Sequence, residues 1–227
     1  MEMPTLLARG RAADIYLLDD TRVLKRDREG RDAQHEAAAM RHARAHGVPV
    51  PEVFDASGTD LVMQRVAGRT MTEDLARRPW RVARHARVLA DLHEGVHRVP
   101  PPRGLPSRLD GDIAMVHGDL HPDNVLLGPG GPVVIDWANA GRGRPEDDVA
   151  MAWLIIAASD MPGGTAAQLV ARVGRQYFLD RFLAGVDRDA AAARLPMVGE
   201  LRLRDPHVLP HEAEAVRRVI SDVPRVW

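Results

Sequence analysis

The sequence predicts an α+β fold of two lobes, in which a small antiparallel sheet carrying one helix precedes a mainly helical lobe. The first sixty-odd residues contain short apolar runs separated by turn-forming residues, with a single helix-like segment among them. From Gly68 onward the apolar residues recur mainly at helical spacing, and only three short strand-like runs interrupt this pattern. We therefore expect an N-terminal lobe at residues 1–66 and a C-terminal lobe at residues 67–227.

Composition excludes several classes of protein. The net charge of −1 and the pI near 6.8 provide no basic surface for nucleic acid or for a membrane. The chain has no cysteine, which excludes disulfides, thiolate metal sites and a cysteine nucleophile. The N-terminus lacks the features of a signal peptide, and the longest apolar stretch, 149–158, is too short to span a bilayer. We expect a cytoplasmic protein, a monomer or weak dimer, with neither nucleic acid nor a membrane as its partner.

Local patterns predict the elements of each lobe. Apolar runs at 6–7, 15–18 and 23–24 predict a hairpin followed by a third strand, and 50–54 and 61–63 predict two more strands. Gly47 and Pro49 end a helix that begins near residue 31. In the C-terminal lobe, strands are predicted at 113–116, 125–127 and 133–135, and helices at 79–96, 146–159, 165–183, 189–204 (broken) and 212–220.

Three polar residues between the short strands of the C-terminal lobe form the most informative motif. Asn124 follows Asp119 by five positions, and Asp136 follows Asn124 by twelve. We expect Asp119 and Asn124 on the loop of a hairpin and Asp136 just past its second strand, so that all three lie at one end of the sheet. A carboxylate there can accept a proton from a hydroxyl, and an amide oxygen and a second carboxylate are suitable Mg²⁺ ligands. This set predicts phosphoryl transfer from a nucleotide.

The chain resembles the aminoglycoside phosphotransferase family, antibiotic and small-metabolite kinases that share the protein-kinase fold. The H-G-D-x-x-x-x-N signature of that family is present at 117–124, its I-D-[WF] at 135–137 and its G-x-P-x-x-D at 143–148. The resemblance implies a protein-kinase-like two-lobed fold, ATP (or GTP) and Mg²⁺ as cofactors, and a small-molecule hydroxyl as acceptor. It also implies that Asp119 is the catalytic base and that Asn124 and Asp136 are the Mg²⁺ ligands.

The N-terminal lobe contains a candidate for the phosphate-binding lysine that a kinase carries on its third strand. Lys25 is the only lysine among 31 basic residues and lies on the predicted third strand, where arginine is the compositional default. A helix glutamate must hold this lysine. Glu36 lies in the following helix, and Glu29 is the alternative if that helix begins earlier.

Two further segments are candidates for nucleotide contacts. Gly10 opens a turn of small residues whose backbone amides can approach a phosphate, although the turn lacks the G-x-G-x-x-G pattern of protein kinases. Gln64 and Val66 belong to the predicted hinge, the segment whose backbone would meet adenine. We expect Asp148 either to cap the helix that starts near residue 146 or to brace the catalytic loop.

Two alternatives compete with an active kinase. The pattern His117-x-Asp119-x-His121 is also typical of a divalent metal site in a hydrolase. The second alternative is a catalytically inactive nucleotide-binding pseudokinase, although every charged group expected of an active kinase is present.

The acceptor is the least defined part of the prediction, since an antibiotic and a sugar-like metabolite both fit the motifs. Aminoglycosides are polycations, so a pocket for them should be lined with carboxylates. Residues 157–227 contain nine acidic residues and ten arginines, which is no acidic excess.

Overall fold

The computed structural model describes residues 5–159 and 165–221, and it begins with a five-stranded antiparallel sheet. The strand order is β1-β2-β3-β5-β4, so β3 lies in the centre. One helix, α1, packs on β4 and β5. The elements are β1 (Thr5–Arg9), β2 (Ala13–Leu17), β3 (Arg22–Asp27), α1 (Ala33–Ala45), β4 (Val53–Ser57) and β5 (Asp60–Gln64).

The centre of this sheet positions Lys25. Within β3, Lys25 pairs with Ile15 on β2 and with Leu61 on β5, and its side chain is buried. Asp32 caps α1 by accepting a hydrogen bond of 2.9 Å from the backbone of Gln34. The cap fixes where α1 begins, and this in turn sets Glu36 on its buried face.

The rest of the described chain is mainly helical and contains two small sheets. β8 pairs with β6 and β9, and β7 pairs with β10. Short 3₁₀ turns lie at Pro79–Arg81, Pro122–Asn124 and Trp137–Asn139. The strands are β6 (Arg69–Thr70), β7 (Ala114–Val116), β8 (Val125–Gly128), β9 (Gly131–Val134) and β10 (Gly141–Gly143), and the helices are α2 (Met71–Arg77), α3 (Val82–His97), α4 (Pro145–Ala158), α5 (Thr165–Leu183), α6 (Arg188–Leu203) and α7 (Pro210–Ser221).

The α+β fold agrees with the prediction, but several local features differ, and the strands β6 and β10 were not predicted. The predicted hairpin loop carrying Asp119 and Asn124 is not formed, because β7 pairs with β10 and β8 pairs with β9. The helix α2 was not expected, and the segment predicted as broken is the continuous α6, which tolerates Pro196 while Leu195 and Val198 are buried beside it. The division into lobes after Val66 stays a prediction.

One apolar core runs through both halves of the described chain. Its largest fully buried members come from α1, β5, α3, the turn after β9, and α5: Met40, Leu61, Leu89, Trp137 and Phe182. A second cluster holds α4, α6 and α7 together around Leu154, Leu195 and Val216. Among the described helices, none is both long enough and apolar enough to cross a membrane.

The buried carboxylate of Asp74 links α2 to the start of α3 through hydrogen bonds. It accepts hydrogen bonds from His85 Nε2 at 2.8 Å, from Arg78 at 2.7 Å and from Arg81 at 3.2 Å. The hydrogen bond from His85, together with the two guanidinium groups, lowers the pKa of Asp74 to about 2. Because the folded-state pKa lies below the ordinary value, the ionised carboxylate stabilises the fold above about pH 4.

We expect Asp74→Asn to reduce the free energy of unfolding at pH 7 by about 2 kcal/mol, since the buried His85 and two partly exposed arginines lose their charged acceptor. The difference from wild type should narrow as the pH falls below about 4, where the unfolded wild-type carboxylate takes up a proton. Urea unfolding at pH 7 and at pH 3 measures both effects. Asp91→Asn on α3 is the control, and a pH-independent difference for Asp74→Asn would contradict the assignment.

Candidate active site

The loop between β7 and β8 is held by the ring of His117. His117 Nε2 donates to the Ile135 carbonyl at 3.1 Å, and Nδ1 accepts from the backbone of Asp119 at 3.3 Å. Burial lowers the pKa of His117, so the ring is neutral with its proton on Nε2. Because both ring nitrogens have partners, His117 is unsuited to the metal-ligand role that a hydrolase site would require.

Asp148 also holds this loop, through hydrogen bonds to its backbone. It accepts hydrogen bonds from the backbone of His117 at 3.0 Å and of Gly118 at 2.7 Å. Burial opposes ionisation, but the hydrogen bond from His97 holds the pKa of Asp148 well below its usual range. Of the two roles considered for Asp148, the structure therefore shows the bracing role.

Gly118 allows the loop to turn where no other residue fits. Its φ is 77°, and a Cβ at this position would lie 2.6 Å from the carbonyl oxygen of Asn139. This close approach packs the loop against the segment that precedes β10.

Asp119 and Asn124 meet directly. Asn124 Nδ2 donates to the Asp119 carbonyl at 2.8 Å and to its carboxylate Oδ2 at 3.1 Å. The Asp119 side chain is 21% exposed, and its Oδ1 lies 3.7 Å from His121 Nε2. The side-chain hydrogen bonds of Asn124 within the described residues all use Nδ2, and the amide oxygen is available for another partner.

Asp136 sits on a strained turn next to Asn124. Its φ of 63° is the only positive value at a non-glycine residue in the described chain. The backbone of Ile135 donates to the Asn124 carbonyl at 3.0 Å, and the backbone of Trp137 donates to Glu36 Oε1 at 3.1 Å. The turn thus presents the Asp136 carboxylate between the catalytic loop and the N-terminal sheet.

Lys25 joins this turn to α1. Its Nζ lies 2.8 Å from both carboxylate oxygens of Glu36 and 2.8 Å from Asp136 Oδ1. Burial favours the neutral amine, but the two carboxylates outweigh it and raise the pKa of Lys25 above its ordinary value, so the ammonium keeps its charge. The same ammonium lowers the pKa of Asp136 against the opposing effect of burial.

Glu29, the alternative partner of Lys25, points elsewhere. Its carboxylate lies 2.7 Å from His207 Nε2 and 3.7 Å from Arg31. The geometry therefore pairs Lys25 with Glu36.

The donor groups suit a magnesium ion. The available amide oxygen of Asn124 and the carboxylate of Asp136, which is about half exposed, are hard oxygen ligands on adjacent backbone segments. Lys25 occupies Oδ1 of Asp136, so the second carboxylate oxygen is the one that fits a metal.

The remaining predicted nucleotide contacts belong to the turn between β1 and β2 and to the end of β5. The backbone of Gly10 donates to Ala13 at 2.8 Å, and Arg28 donates to the carbonyl oxygens of Gly10 and Arg11 at 2.8 and 2.6 Å. Gln64 ends β5, and Val66 continues past it toward the turn between β8 and β9. Whether Gly10, Gln64 and Val66 contact a nucleotide stays a prediction.

A pair of long-range contacts was not predicted from the sequence. Arg11, in the turn after Gly10, forms an ion pair of 2.6 Å with Glu212 and donates to the His207 carbonyl at 3.2 Å. The contact between His207 and Glu29 lies nearby. These contacts connect the small-residue turn to α7 and to the loop that precedes it, and the roughly 200 intervening residues leave no local signal for them.

Comparisons with known proteins identify the fold and the family. Several solved structures share the fold: a thermostable mutant of the aminoglycoside phosphotransferase APH(4)-Ia in complex with AMP-PNP and hygromycin B has a TM-score of 0.64, with 17% identity over 96% of this chain and 92% of that one. The streptomycin-ATP-APH(2")-IIa ternary complex has a TM-score of 0.57, with 14% identity over 97% of this chain and 91% of that one. Amicoumacin kinase hAmiN in complex with AMP-PNP, Ca²⁺ and Ami has a TM-score of 0.56, with 16% identity over 97% of this chain and 87% of that one.

A search of curated protein sequences found no match. The model of the phosphotransferase enzyme family (APH) matches residues 5–113 and 99–194, which together span most of the chain and include every residue of the cluster around Lys25 and Asp119. The protein therefore has the kinase-like fold of the aminoglycoside phosphotransferases, and the chain belongs to the phosphotransferase enzyme family.

Proposed function

We propose that the protein transfers the γ-phosphoryl group of ATP, or of GTP, to a hydroxyl of a small molecule. The observation that carries the proposal is one connected cluster: Lys25 bridges Glu36 and Asp136, and Asp136 adjoins Asn124, which is bonded to Asp119. This arrangement supplies a phosphate-binding ammonium, metal ligands and a base within one cleft.

Each group has a distinct part in the proposed reaction. Lys25 would bind the phosphates, while Asn124 and Asp136 would hold Mg²⁺. The metal ion, when bound, neutralises phosphate charge. Asp119 accepts the proton of the acceptor hydroxyl at Oδ1, because Oδ2 already receives a hydrogen bond from Asn124. His117 and Asp148 keep the loop in the geometry that aligns this carboxylate.

Two acidic residues of the segment 157–227 already have arginine partners, which supports an acceptor that is not a polycation. Glu212 is neutralised by Arg11 at 2.6 Å, and Asp205 by Arg202 at 3.0 Å. Each carboxylate already has a guanidinium partner, so neither offers a strong site for an ammonium group. We propose a sugar hydroxyl of a weakly charged antibiotic, or a small metabolite alcohol, as the acceptor class.

An ADP-release assay with ATP, Mg²⁺ and a panel of acceptors tests the proposed function. The panel should contain polycations such as hygromycin B and streptomycin beside neutral sugars and alcohols. We expect turnover with a neutral or weakly charged acceptor, and none with Asp119→Asn. Preference for the polycations would contradict the acceptor class. Nucleotide binding without turnover on any hydroxyl would favour the pseudokinase alternative.

We expect Lys25→Ala to lower kcat/KM by about 100-fold or more, since the proposed phosphate-binding charge is lost and the carboxylates of Glu36 and Asp136 lose their common counter-ion. Lys25→Arg should restore only part of this loss, because the planar guanidinium cannot place one compact charge between two carboxylates. Steady-state kinetics and titration with AMP-PNP measure the effect. Arg26→Lys, on the exposed neighbour, is the control, and full activity of Lys25→Arg would contradict the argument.

A further inference from the structure

A second cluster of chemically active side chains lies behind the catalytic loop, on the inner face of α3. The residues 93–97 read His-Glu-Gly-Val-His, so two imidazoles stand one helical turn apart. An H-E-x-x-H pattern on a helix is a known arrangement for a zinc ion, because its histidines share one face. The kinase chemistry makes no use of this pair.

A carboxylate from α4 completes the cluster. Asp148 Oδ2 lies 3.1 Å from His97 Nε2 and 3.9 Å from His93 Nδ1, and the three ligand atoms lie within 4.8 Å of one another. Among the described residues this is the only group of three or more such side chains with that spacing. The separations are close to those between ligands around one tetrahedral ion.

His93 is the observation that points to a ligand. Its Nε2 donates to the Leu120 carbonyl at 3.1 Å, which places the proton on Nε2 and a bare lone pair on Nδ1. Nδ1 is fully buried and has no hydrogen-bond partner in the described chain. Two electron pairs, on Nδ1 and on the Asp148 carboxylate, therefore face each other in a site of low dielectric, an unfavourable arrangement that a cation between them would reverse.

We propose that His93, His97 and Asp148 bind a structural Zn²⁺ ion. Two imidazole nitrogens and one carboxylate oxygen favour zinc over magnesium, and a water molecule can provide the fourth ligand. To bind, His97 moves its proton from Nε2 to Nδ1, and so the neutral ring presents a lone pair to the metal. No net proton transfer to the protein is required.

The position of Glu94 indicates that the ion has a structural role and not a hydrolytic one. In a zinc hydrolase the Glu of the pattern acts as a base beside the metal. Here Glu94 is exposed and forms an ion pair with Arg98. His93 and Asp148 are buried, which closes the site to a substrate.

The ion would strengthen the support of the catalytic loop. Asp148 already holds the backbone of His117 and Gly118, and His93 holds the carbonyl of Leu120, on either side of Asp119. A metal shared by these two side chains links α3 and α4 to both flanks of the proposed base. Arg108 also faces the Asp148 charge, so we expect weaker binding than at a site with two carboxylates.

The test uses the full chain without an affinity tag, freed of metal with a chelator and dialysed against Zn²⁺ in excess Mg²⁺, which occupies the nucleotide-site ligands. The matched control is a second histidine pair at the same spacing, formed by the half-buried His42 in α1 and the exposed His46 at the C-terminal cap of that helix. We compare wild type, His97→Gln and His42→Gln. Glutamine at 97 keeps a donor for Asp148, so the metal-free fold is preserved.

We expect wild type and His42→Gln to retain one zinc ion per chain, and His97→Gln to bind it more than about 10-fold more weakly. Zn²⁺ at about 100 times its Kd should raise the Tm of wild type by about 5–10 °C and leave that of His97→Gln unchanged. Co²⁺ should give the visible absorption of a tetrahedral site in wild type but not in His97→Gln. Absence of bound zinc in wild type, or equal loss in His42→Gln, would overturn the proposal.

Discussion

Asp119→Asn should lower kcat by about 10²- to 10⁴-fold, the range that a general base contributes. The amide keeps the shape of the carboxylate and can still contact Asn124, but it cannot take a proton from the acceptor hydroxyl. The affinity for the nucleotide should stay nearly constant, because Asp119 contacts Asn124 and the loop and not Lys25. The Asp119→Asn variant therefore separates an effect on the rate of phosphoryl transfer from an effect on nucleotide affinity.

The same loop provides a matched control. Asp123 is four residues away, and its side chain is 55% exposed. Asp123→Asn removes the same charge from the loop without removing the proposed base, and we expect its kcat to stay within about 2-fold of wild type, as for an ordinary surface substitution. Steady-state rates and AMP-PNP titrations of both variants measure the effects on kcat and on nucleotide affinity separately. Equal rate losses in the two variants would indicate a general charge effect and contradict the role of Asp119 as base.

The site could be predicted from the sequence where its signals are local. Asp119, Asn124 and Asp136 stand at fixed spacings between short apolar strands, and Lys25 is the only lysine in an arginine-rich chain. The sheet followed by helices could be predicted for a similar reason, since periodicity within each segment reports which faces are buried.

Long-range pairing could not be predicted in the same way. Glu29 and Glu36 are both near Lys25 in sequence, and the choice between them depends on Asp32, whose cap fixes the start of α1, and on His207, which contacts Glu29. The pairing of β7 with β10 is accompanied by a close approach of Gly118 to Asn139, and neither has a signature in the sequence beyond the glycine itself. These features arise from packing between distant segments.

The helix α2 illustrates a different limit. Its start carries a capping box, in which Thr70 accepts from the backbone of Glu73 and Glu73 accepts from the backbone of Thr70. The T-x-x-E pattern is visible in the sequence, but a segment of seven residues contains too few apolar positions to establish a helical period. A search for caps, carried out independently of periodicity, would have found this helix.

Asp136→Asn should abolish the Mg²⁺ dependence of nucleotide binding. Asparagine is the informative substitution, because it tolerates the left-handed backbone at φ 63° that would strain alanine. It can also retain a contact with Lys25 through its amide oxygen. What it loses is the negative charge, on which a hard divalent cation depends.

Calorimetric titration with AMP-PNP, with and without Mg²⁺, measures this effect. In wild type we expect Mg²⁺ to increase the affinity by about 100-fold or more, corresponding to at least about 2.7 kcal/mol. In Asp136→Asn the two affinities should coincide at a low value, since Lys25 and Glu36 still form the phosphate-binding pair. Thermal unfolding of both proteins controls for the fold. An Asp136→Asn variant that keeps the Mg²⁺ enhancement would show that the metal is held elsewhere and would remove Asp136 from the proposed site.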